Sequence, residues 1–595
     1  MQFAAPATDP DSRDAGLASV VYEYACTEPE YVPFQVHDGR GNWSDIDIGE
    51  FAGQVTAVAK GLIASGVEPG DRVAIMSATR YEWVLLDYAI WAAGACTVAI
   101  YETSAAEQAQ WILEDSGTTV LIVETAAHER TVRDIVAAAP EVKHTLLIDD
   151  GAIATLTERG AHVPDDVIAD RVARTTAATP ATLIYTSGTT GKPKGVLLTH
   201  GNLRAESSAA RSALADTMSD GDRTLMFLPL AHVFARVISI GAIEAKATVG
   251  HTSNWSTLVD QFATFQPSFL LSVPRVFEKV FNTAEQKAHD AGRGRVFDYA
   301  AATAIAWSKA LDTGGPGVLL RARHIVFDRL VYAKLRAALG GKCRSAVSGG
   351  GPLGARLGHF YRGIGLPVYE GYGLTETTAA ITVNTATHCR VGTVGRPLPG
   401  HSVRVADDGE LLVRGPAVFG EYWNNPEATA EAFDDGWFRT GDLGTVDAAG
   451  YVTITGRKKE ILVTAAGKNV SPAPLEDSLR AHPLISQAMV VGDGQPFVGA
   501  LITLDREALP GWLARHKIPT DTPIEVLVHA PELVDEIDTA VAAANAKVSK
   551  AEGIKKARIL PDEWTQEAGH LTPKLSLKRN VVTARHARDI AALYT

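Results

Sequence analysis

Cysteine is scarce in this chain. Its 595 residues include four cysteines, Cys26, Cys96, Cys343 and Cys389, which lie far apart and form no C-x-x-C pair. This spacing predicts neither a disulfide framework nor a cysteine-based zinc site. We therefore expect a protein of a reducing, cytoplasmic compartment.

The chain also lacks an excess of basic residues and any long apolar run. Its 56 Lys and Arg are outnumbered by 69 Asp and Glu, giving a net charge of −13, which argues against a general nucleic-acid surface. The most apolar stretch, residues 88–101, is shorter than the ~20 residues that cross a bilayer. Residues 1–16 lack the basic start and apolar core of a secretory signal, so we expect a flexible tail.

Several segments predict the fold class. At 595 residues the chain exceeds what one hydrophobic core usually organises, so two or more domains are expected. Short β-branched runs such as residues 72–75 and 119–123 alternate with helical stretches such as 81–92 and 104–115. This alternation is typical of βαβ units, and it predicts an α/β protein whose large N-terminal domain contains doubly wound βαβ sheets.

The pattern changes towards the C-terminus. After about residue 390, short strands are separated by Gly and Asp turns rather than by long helices, which predicts a small β-rich subdomain. The predicted turn at residues 456–460 begins with glycine and continues with charged residues, which is typical of a domain junction. We predict a large domain of residues 17–456 and a small, mobile α/β lid of residues 457–595.

Residues 185–195 are rich in glycine, hydroxyl groups and lysine, and they follow a predicted apolar strand. Such a composition can surround a triphosphate with N–H, O–H and ammonium groups. It is not a Walker loop, because Gly188 and Gly191 are too close together and Pro193 follows Lys192 where Ser or Thr is required. A ligand-free glycine turn is the alternative. The predicted phosphate-binding residues are Thr186, Ser187, Gly188, Thr189, Thr190, Gly191, Lys192 and Lys194.

A second nucleotide motif lies at residues 371–377. The aromatic face of Tyr372 can stack on a purine, Thr375 can donate to a phosphate, and Glu376 is a hard oxygen ligand suited to Mg²⁺. A Gly-Tyr-Gly turn alone is more often structural, so this interpretation depends on the loop at residues 185–195.

Two further glycine segments have both a functional and a structural interpretation. Gly349, Gly350 and Gly351 form a wall without side chains against which a flat base can lie, although a plain tight turn fits equally. Asp442, in a glycine-containing segment, can accept hydrogen bonds from ribose hydroxyls, or it can close an Asx turn in a hairpin.

His232 and the C-terminal basic segment carry less information by themselves. A lone histidine among apolar residues is usually a satisfied core residue. Residues 571–579 form a predicted extended segment with three basic side chains. They fit a solvated charged surface, or a mobile lysine that neutralises oxyanions in a transition state.

Taken in this order across nearly the whole chain, the motifs resemble the AMP-forming acyl and aryl CoA ligase superfamily, which includes luciferases and the adenylation modules of peptide synthetases. The chain is most similar to long-chain fatty acid CoA ligases of actinobacterial type. The segments that carry this resemblance are residues 185–195, 228–236, 272–277, 369–377 and 435–444.

The resemblance implies a reaction in two steps. A fatty carboxylate attacks the α-phosphate of ATP to give acyl-adenylate and pyrophosphate, and the thiol of CoA then displaces AMP. The implied ligands are ATP, Mg²⁺, CoA and a fatty acid, with no nucleic acid. A lipid-soluble substrate allows transient contact with the inner face of a membrane, although no amphipathic anchor stands out in the sequence. The oligomeric state is left open.

The resemblance also assigns roles to residues. Thr375 and Glu376 would bind the α-phosphate and Mg²⁺, and Lys459 would be the hinge of the lid. Tyr372 would stack on adenine, Asp442 and Arg457 would hold the ribose, and His232 would lie beside the acyl carboxylate. The nucleotide pocket would also include Gly349, Gly350, Gly351, Glu370, Gly371 and Gly373, and the CoA-facing turn would be Gly467, Lys468 and Asn469.

Two positions depart from the family pattern. Ser576 stands where long-chain ligases usually carry the C-terminal catalytic lysine, so Lys574 is expected to supply that charge, with Lys578 as the alternative. Arg236 stands where some members have a tryptophan that guards the acyl tunnel. The resemblance therefore does not imply that Arg236 gates such a tunnel.

The sequence leaves two functions open besides the fatty acid ligase. One is an adenylating ligase for another acid, aryl or medium-chain; an amino acid is disfavoured because no suitably placed acidic residue follows Val233. The other is a catalytically impaired binder of nucleotide or acyl-AMP, for which Ser576 is the direct support.

Overall fold

A computed structural model of the chain describes residues 1–7, 14–186, 192–566, 568–572 and 576–595. Its strands, in chain order, are β1 Gln2–Ala4, β2 Phe34–His37, β3 Trp43–Ile46, β4 Arg72–Met76, β5 Cys96–Ile100, β6 Thr118–Val123, β7 His144–Leu147, β8 Pro180–Thr186, β9 Lys194–Thr199, β10 Arg223–Met226, β11 Thr248–His251, β12 Phe269–Ser272, β13 Ser345–Ser348, β14 Val368–Leu374, β15 Ala379–Val383, β16 Arg396–Pro397, β17 Ser402–Val405, β18 Glu410–Arg414, β19 Glu421–Tyr422, β20 Phe433–Asp434, β21 Trp437–Val446, β22 Val452–Arg457, β23 Leu462–Val463, β24 Asn469–Val470, β25 Ile485–Val491, β26 Val498–Leu504 and β27 Ile554–Leu560.

The α-helices of the described residues, in chain order, are α1 Ser19–Thr27, α2 Ile48–Ala64, α3 Tyr81–Ala92, α4 Ala106–Ser116, α5 Ala126–Ala138, α6 Ala152–Gly160, α7 Asp165–Arg174, α8 His200–Ala213, α9 Val233–Glu244, α10 Leu258–Phe265, α11 Pro274–Asp290, α12 Gly294–Leu311, α13 Val318–Phe327, α14 Ala333–Ala338, α15 Ala355–Gly363, α16 Pro426–Ala432, α17 Ala473–Arg480, α18 Leu509–His516, α19 Ile524–Leu527, α20 Pro531–Asn545, α21 Arg579–Arg585 and α22 Ala587–Tyr594. Short 3₁₀ turns lie at Ile148–Asp150, Trp255–Thr257, Thr375–Thr377 and Lys458–Glu460, and a π-helical turn lies at Asp328–Tyr332.

The largest sheet has seven strands in the order β19-β9-β8-β5-β4-β6-β7. Its five strands from β8 to β7 are parallel, whereas β9 and β19 pair antiparallel at one edge. Both faces are buried: Val73 and Ile75 of β4 pack into one core with α2 and α3, and Ala74 and Met76 pack into another with α4 and α5. Burial on both faces explains why these strands are continuously apolar rather than alternating.

Two further sheets complete the α/β part of the large domain. One has the order β12-β13-β14-β15-β16 and the other β10-β11-β2-β3. In each, the first three strands are parallel and the later ones antiparallel. The predicted α/β class with a large N-terminal and a smaller C-terminal domain is thereby confirmed.

A six-stranded antiparallel sheet contains β1, β17, β18, β20, β21 and β22. It includes the short strands predicted after about residue 390. The expected flexible tail is wrong for Gln2–Ala4, which pair with β17, with Phe3 opposite Val403. Phe3 also packs against the large core, so apolar burial orders this end of the chain. The rest of the predicted tail includes residues 8–13, which lie outside the described residues.

The C-terminal region has its own core. Strands β25, β26 and β27 form one sheet, β23 and β24 form a small hairpin, and helices α17 and α20 pack with them around Leu479, Ile502 and Ile537. The predicted boundary at residues 456 and 457 coincides with the end of β22, and it stays a prediction.

Arg236 is part of the interior of the large domain. It lies on α9, is 1% exposed, and its guanidinium donates to both carboxylate oxygens of Asp87. A third donor of the guanidinium bonds the Thr182 hydroxyl at 2.5 Å. Because the charge is neutralised within the core, Arg236 acts as a structural link between α9, α3 and β8. No described helix is both long and apolar enough to cross a membrane.

Candidate nucleotide and acyl-transfer site

The predicted phosphate loop connects the two strands of a hairpin. Strand β8 ends at Thr186 and strand β9 begins at Lys194. These two residues are opposite each other in the antiparallel pair. Ser187, Gly188, Thr189, Thr190 and Gly191 lie outside the described residues, so their phosphate contacts stay predictions. The described flanks bring Thr186, Lys192 and Lys194 to one edge of the large sheet.

Both lysines of the loop lie over aromatic rings. The Lys192 Nζ atom is 3.9 Å from the centroid of the Trp111 ring, and the Trp111 indole donates to the Pro193 carbonyl at 2.8 Å. Lys194 Nζ is 5.0 Å from the centroid of the Tyr422 ring. An aromatic face attracts an ammonium group without neutralising its charge, so both cations remain available to an anionic ligand.

Tyr422 joins the phosphate loop to the second motif. Its hydroxyl donates to Glu376 Oε1 at 2.9 Å while its ring faces Lys194. Magnesium in nucleotide sites typically takes one or two protein carboxylates together with phosphate oxygens. Glu376 shares Tyr422 with Lys194, and its carboxylate fits this requirement.

Thr375 begins the 3₁₀ turn that carries Glu376. Thr375 is buried, with 6% of its surface exposed. The turn is followed by Thr378 and Ala379, whose φ values of 55° and 107° reverse the backbone into β15. The buried Glu206 supports this reversal by accepting from the Ala380 N–H at 2.9 Å.

The predicted adenine and ribose residues are joined by one carboxylate. The Tyr372 hydroxyl donates to Asp442 Oδ2 at 2.7 Å, and Arg457 Nε lies 3.0 Å from Asp442 Oδ1. Asp442 is 3% exposed, and burial raises the pKa of its carboxyl, with Arg457 acting in the opposite direction. The structure therefore brings Tyr372 to Asp442 and Arg457, which are opposite each other in the neighbouring strands β21 and β22.

The two segments for which a turn was the structural alternative, one at residues 371–373 and one at Asp442, are strands in the structure. Gly371, Tyr372 and Gly373 lie within β14, paired with β15, and a register shift falls between Tyr372 and Gly373. Asp442 lies within β21, where Gly441 has a φ of 71°. The irregularities let glycine-rich segments remain paired, so the turn and Asx-turn interpretations are wrong for these residues.

The glycine wall follows β13 and lies beside Glu370. A Cβ on Gly349 would lie 3.1 Å from the Phe234 ring, and Gly350 has a φ of 80°, so both positions favour glycine. Gly351 leads to Leu353, whose N–H donates to Glu370 Oε1 at 2.8 Å. Burial raises the pKa of Glu370 to about 7.

His232 caps helix α9. Its Nδ1 atom accepts from the Phe234 N–H at 3.0 Å, and its side chain is partly buried. This contact gives His232 a structural task next to the glycine wall, since Phe234 also faces Gly349. Its role beside an acyl carboxylate stays a prediction.

The predicted hinge and CoA-facing turn lie at the start of the C-terminal region. Lys459 lies in the 3₁₀ turn that follows β22. Gly467 has a φ of 75° in the turn between β23 and β24, and its N–H donates to the Thr464 carbonyl. The neighbouring Lys468 pairs with Glu552 at 3.0 Å, and Asn469 is exposed. Their functions stay predictions.

The C-terminal basic segment doubles back and is not a single extended run. Leu571 and Leu577 pair in an antiparallel bridge, and the Thr572 N–H donates to the Ser576 carbonyl at 2.8 Å. Lys574 lies outside the described residues. The Lys578 N–H donates to the His570 carbonyl, which fixes this residue at the start of α21.

The C-terminal region contacts the large domain through polar groups. Arg275 and Lys279 of α11 approach Asp505 and Glu507 at 3.6 and 2.9 Å. On α15, Arg356 donates to the Ala481 carbonyl at 3.2 Å. Exposed ion pairs of this kind contribute about 1 kcal/mol or less each, so they oppose a reorientation only weakly.

Sequence reasoning missed four residues that organise the site: Trp111, Glu206, Tyr422 and Asp115. Asp115 accepts from the Tyr185 hydroxyl at 2.7 Å and from the Trp423 indole through its carbonyl at 3.0 Å. They belong to segments without glycine or phosphate motifs, and only long-range contacts reveal them. For Tyr422, the adjacent aromatic residues at positions 422 and 423 were the sequence feature that could have indicated a role.

The raised pKa of Glu370 predicts a pH-dependent stability. An unfolded Glu370 ionises near its ordinary value of 4.5, whereas the folded one ionises near 7, so its stabilising contribution is full below 4.5 and falls as pH rises through 7. Glu370→Gln does not ionise. We expect the free energy of unfolding of wild type to decline relative to that of Glu370→Gln between these pH values, by at most about 3 kcal/mol, and its thermal unfolding midpoint to fall with it. A pH-independent difference between the two midpoints would contradict this.

Comparisons with known proteins agree with this geometry. The family model of AMP-binding enzymes matches residues 27–423, and the model of the AMP-binding enzyme C-terminal domain matches residues 459–595. The chain is 54% identical over 597 residues to proteins named Long-chain-fatty-acid--CoA ligase FadD15 from Mycobacterium bovis and Mycobacterium tuberculosis, covering 100% of this chain and 99% of each relative.

Solved structures show the same fold. The A-PCP didomain of the carboxylic acid reductase from Segniliparus rugosus, in complex with AMP, matches with a TM-score of 0.76 at 21% identity, over 98% of this chain and 83% of that one. The anthranilate CoA ligase AuaEII, in complex with anthranoyl-AMP, matches with a TM-score of 0.75 at 18% identity, over 96% and 97% of the two chains. The chain therefore belongs to the AMP-binding enzymes, the adenylate-forming superfamily that its motifs resemble.

Proposed function

We propose that this protein is an AMP-forming long-chain fatty acid CoA ligase. The observation that carries the proposal is the meeting of the phosphate loop and the second motif at Tyr422, which contacts both Lys194 and Glu376. The long-chain substrate is supported by 54% identity over the full chain to relatives that bear this name.

In the first step, an oxygen of the fatty carboxylate attacks the α-phosphorus of ATP, and the bond to the bridging oxygen breaks to release pyrophosphate. Lys192 and Lys194 attract the β- and γ-phosphates, and the hydroxyl of Thr375 donates to the α-phosphate. When bound at Glu376, Mg²⁺ would screen the phosphate charge. Tyr372 lies against the base, and Asp442 accepts from the ribose hydroxyls.

In the second step, the sulfur of CoA attacks the acyl carbonyl, and the bond between the acyl carbon and the phosphate oxygen breaks to release AMP. We place Gly467, Lys468 and Asn469 beside CoA after the lid has turned about Lys459. The ion pairs between α11 and the lid support this motion, because ion pairs near the surface contribute only about 1 kcal/mol or less each.

The cysteines support a cytoplasmic location. All four are free, and two of them, Cys96 and Cys343, are buried. Thiols persist in reducing compartments.

Ser576 favours a second candidate, a binder of acyl-AMP or nucleotide with impaired chemistry. Its side chain cannot supply the ammonium charge that the family places at this position. In the proposed ligase, Lys574 supplies that charge. Leu571 and Leu577, which flank Lys574 in sequence, pair with each other in the C-terminal region.

A pyrophosphate-release assay separates these functions. With ATP, Mg²⁺ and a series of fatty acids, we expect release that is greatest with long chains and that becomes catalytic when CoA is added. Release with aromatic acids alone would favour a ligase for another acid. No release with any acid would favour the impaired binder.

The two lysines of the C-terminal segment provide a matched pair of variants. We expect Lys574→Ala to slow acyl-adenylate formation, measured by pyrophosphate exchange, by about 10²- to 10³-fold, because a charge on the transition state is lost. The reaction of preformed acyl-AMP with CoA should stay near the wild-type rate. Lys578→Ala serves as the control. Equal loss in both variants, or loss only in Lys578→Ala, would contradict the assignment.

A further inference from the structure

Strands β12 and β13 are joined by an unusually long connection. They are adjacent and parallel, with Phe269 opposite Ser345, and residues 273–344 link them through α11, α12, α13 and α14. A crossover between neighbouring parallel strands needs a single helix. The additional helices therefore form an insert on the surface of the large domain.

One side of the insert's second half is packed against the protein. From Val318 to Ala338 the chain is continuously helical, through α13, the π-helical turn and α14. Tyr332 is buried and donates to the Ala300 carbonyl at 2.7 Å. His324 stacks on Trp307 with 4.0 Å between ring centroids. These contacts fix the rotation of the helix about its axis.

The opposite side is apolar and exposed. The five large apolar side chains of this outer face are between 51% and 85% exposed: they are Val318, Leu319, Ile325, Val326 and Leu330. Val318 and Leu319 are followed seven residues later by Ile325 and Val326, and Leu330 comes four residues after Val326, so the five lie along one side of the helix. Because a helix of a globular protein ordinarily directs polar side chains to water, an apolar outer face indicates a contact surface.

The same region has a charge opposite to that of the whole protein. Residues 293–344 contain ten Lys or Arg and three Asp, a net charge of +7, in a chain with a net charge of −13. Asp328 already pairs with Arg336 at 2.8 Å. The exposed Arg323, Arg329 and Lys334 have no ion-pair partner among the residues that the structure describes.

We propose that the outer face of α13 and the π-helical turn docks on a bilayer surface that contains anionic phospholipid. Apolar side chains interleaved with unpaired cations match the acyl boundary and the headgroups of such a surface together. A second copy of this chain is disfavoured as the occupant because two basic faces would repel each other. The inference rests on the face itself and does not require the proposed chain-length preference.

Sedimentation of the full chain with vesicles tests this docking. We expect binding to vesicles of phosphatidylcholine containing about one third phosphatidylglycerol, and at least about tenfold weaker binding to phosphatidylcholine alone. Leu319→Glu with Val326→Glu should abolish binding. Arg323→Gln with Arg329→Gln should weaken it by roughly fivefold per residue.

The matched control is Val259→Glu with Val526→Glu. These two valines lie outside the outer face and are 56% and 60% exposed, similar to Leu319 and Val326. This variant should bind vesicles like wild type, and all variants should keep pyrophosphate release with a soluble fatty acid. Wild-type protein that fails to sediment with anionic vesicles at low salt would overturn the proposal. So would vesicle binding by the Leu319→Glu, Val326→Glu variant at the wild-type level, or a dimer of wild type that this variant dissociates.

Discussion

The contact on which the proposed nucleotide site depends is the buried carboxylate of Asp442 between Tyr372 and Arg457. It links β14 of one sheet to β21 of another and to the residue at the end of β22, where the predicted lid begins. A carboxylate that is 3% exposed is unfavourable unless it is paired and hydrogen-bonded. The pairing therefore fixes the positions of Tyr372 and Arg457 relative to each other. Any movement of the lid begins next to this fixed group.

A second set of contacts surrounds the two lysines of the proposed phosphate site. Trp111 and Tyr422 hold Lys192 and Lys194 through their rings, and Tyr422 directs its hydroxyl to Glu376. Aromatic faces are suitable partners here, since a carboxylate partner would compete with the nucleotide for the lysines. The site thus concentrates positive charge without neutralising it in advance.

Local patterns in the sequence were sufficient for the main elements. The predicted strand at residues 72–75 and the helix at 81–92 agree with β4 and α3, because their nearly continuous apolar residues are buried between neighbouring layers. The resemblance of the motifs identified the family. What local patterns could not supply were pairings between distant segments: β1 with β17, Leu571 with Leu577, and Tyr422 with Glu376. The apolar outer face of α13 was hidden for the same reason, since exposure depends on which side of a helix is packed.

The central claim is that the Asp442 carboxylate binds the nucleotide, and calorimetric titration with a non-hydrolysable ATP analogue tests it most directly. Asp442→Asn keeps the shape of the side chain but removes the charge, and it should weaken binding by roughly 10- to 100-fold, the value of hydrogen bonds to an ionised acceptor. Asp408→Asn, which removes an exposed partner of Lys458, is the matched control and should bind like wild type. Unchanged affinity of Asp442→Asn would contradict the account.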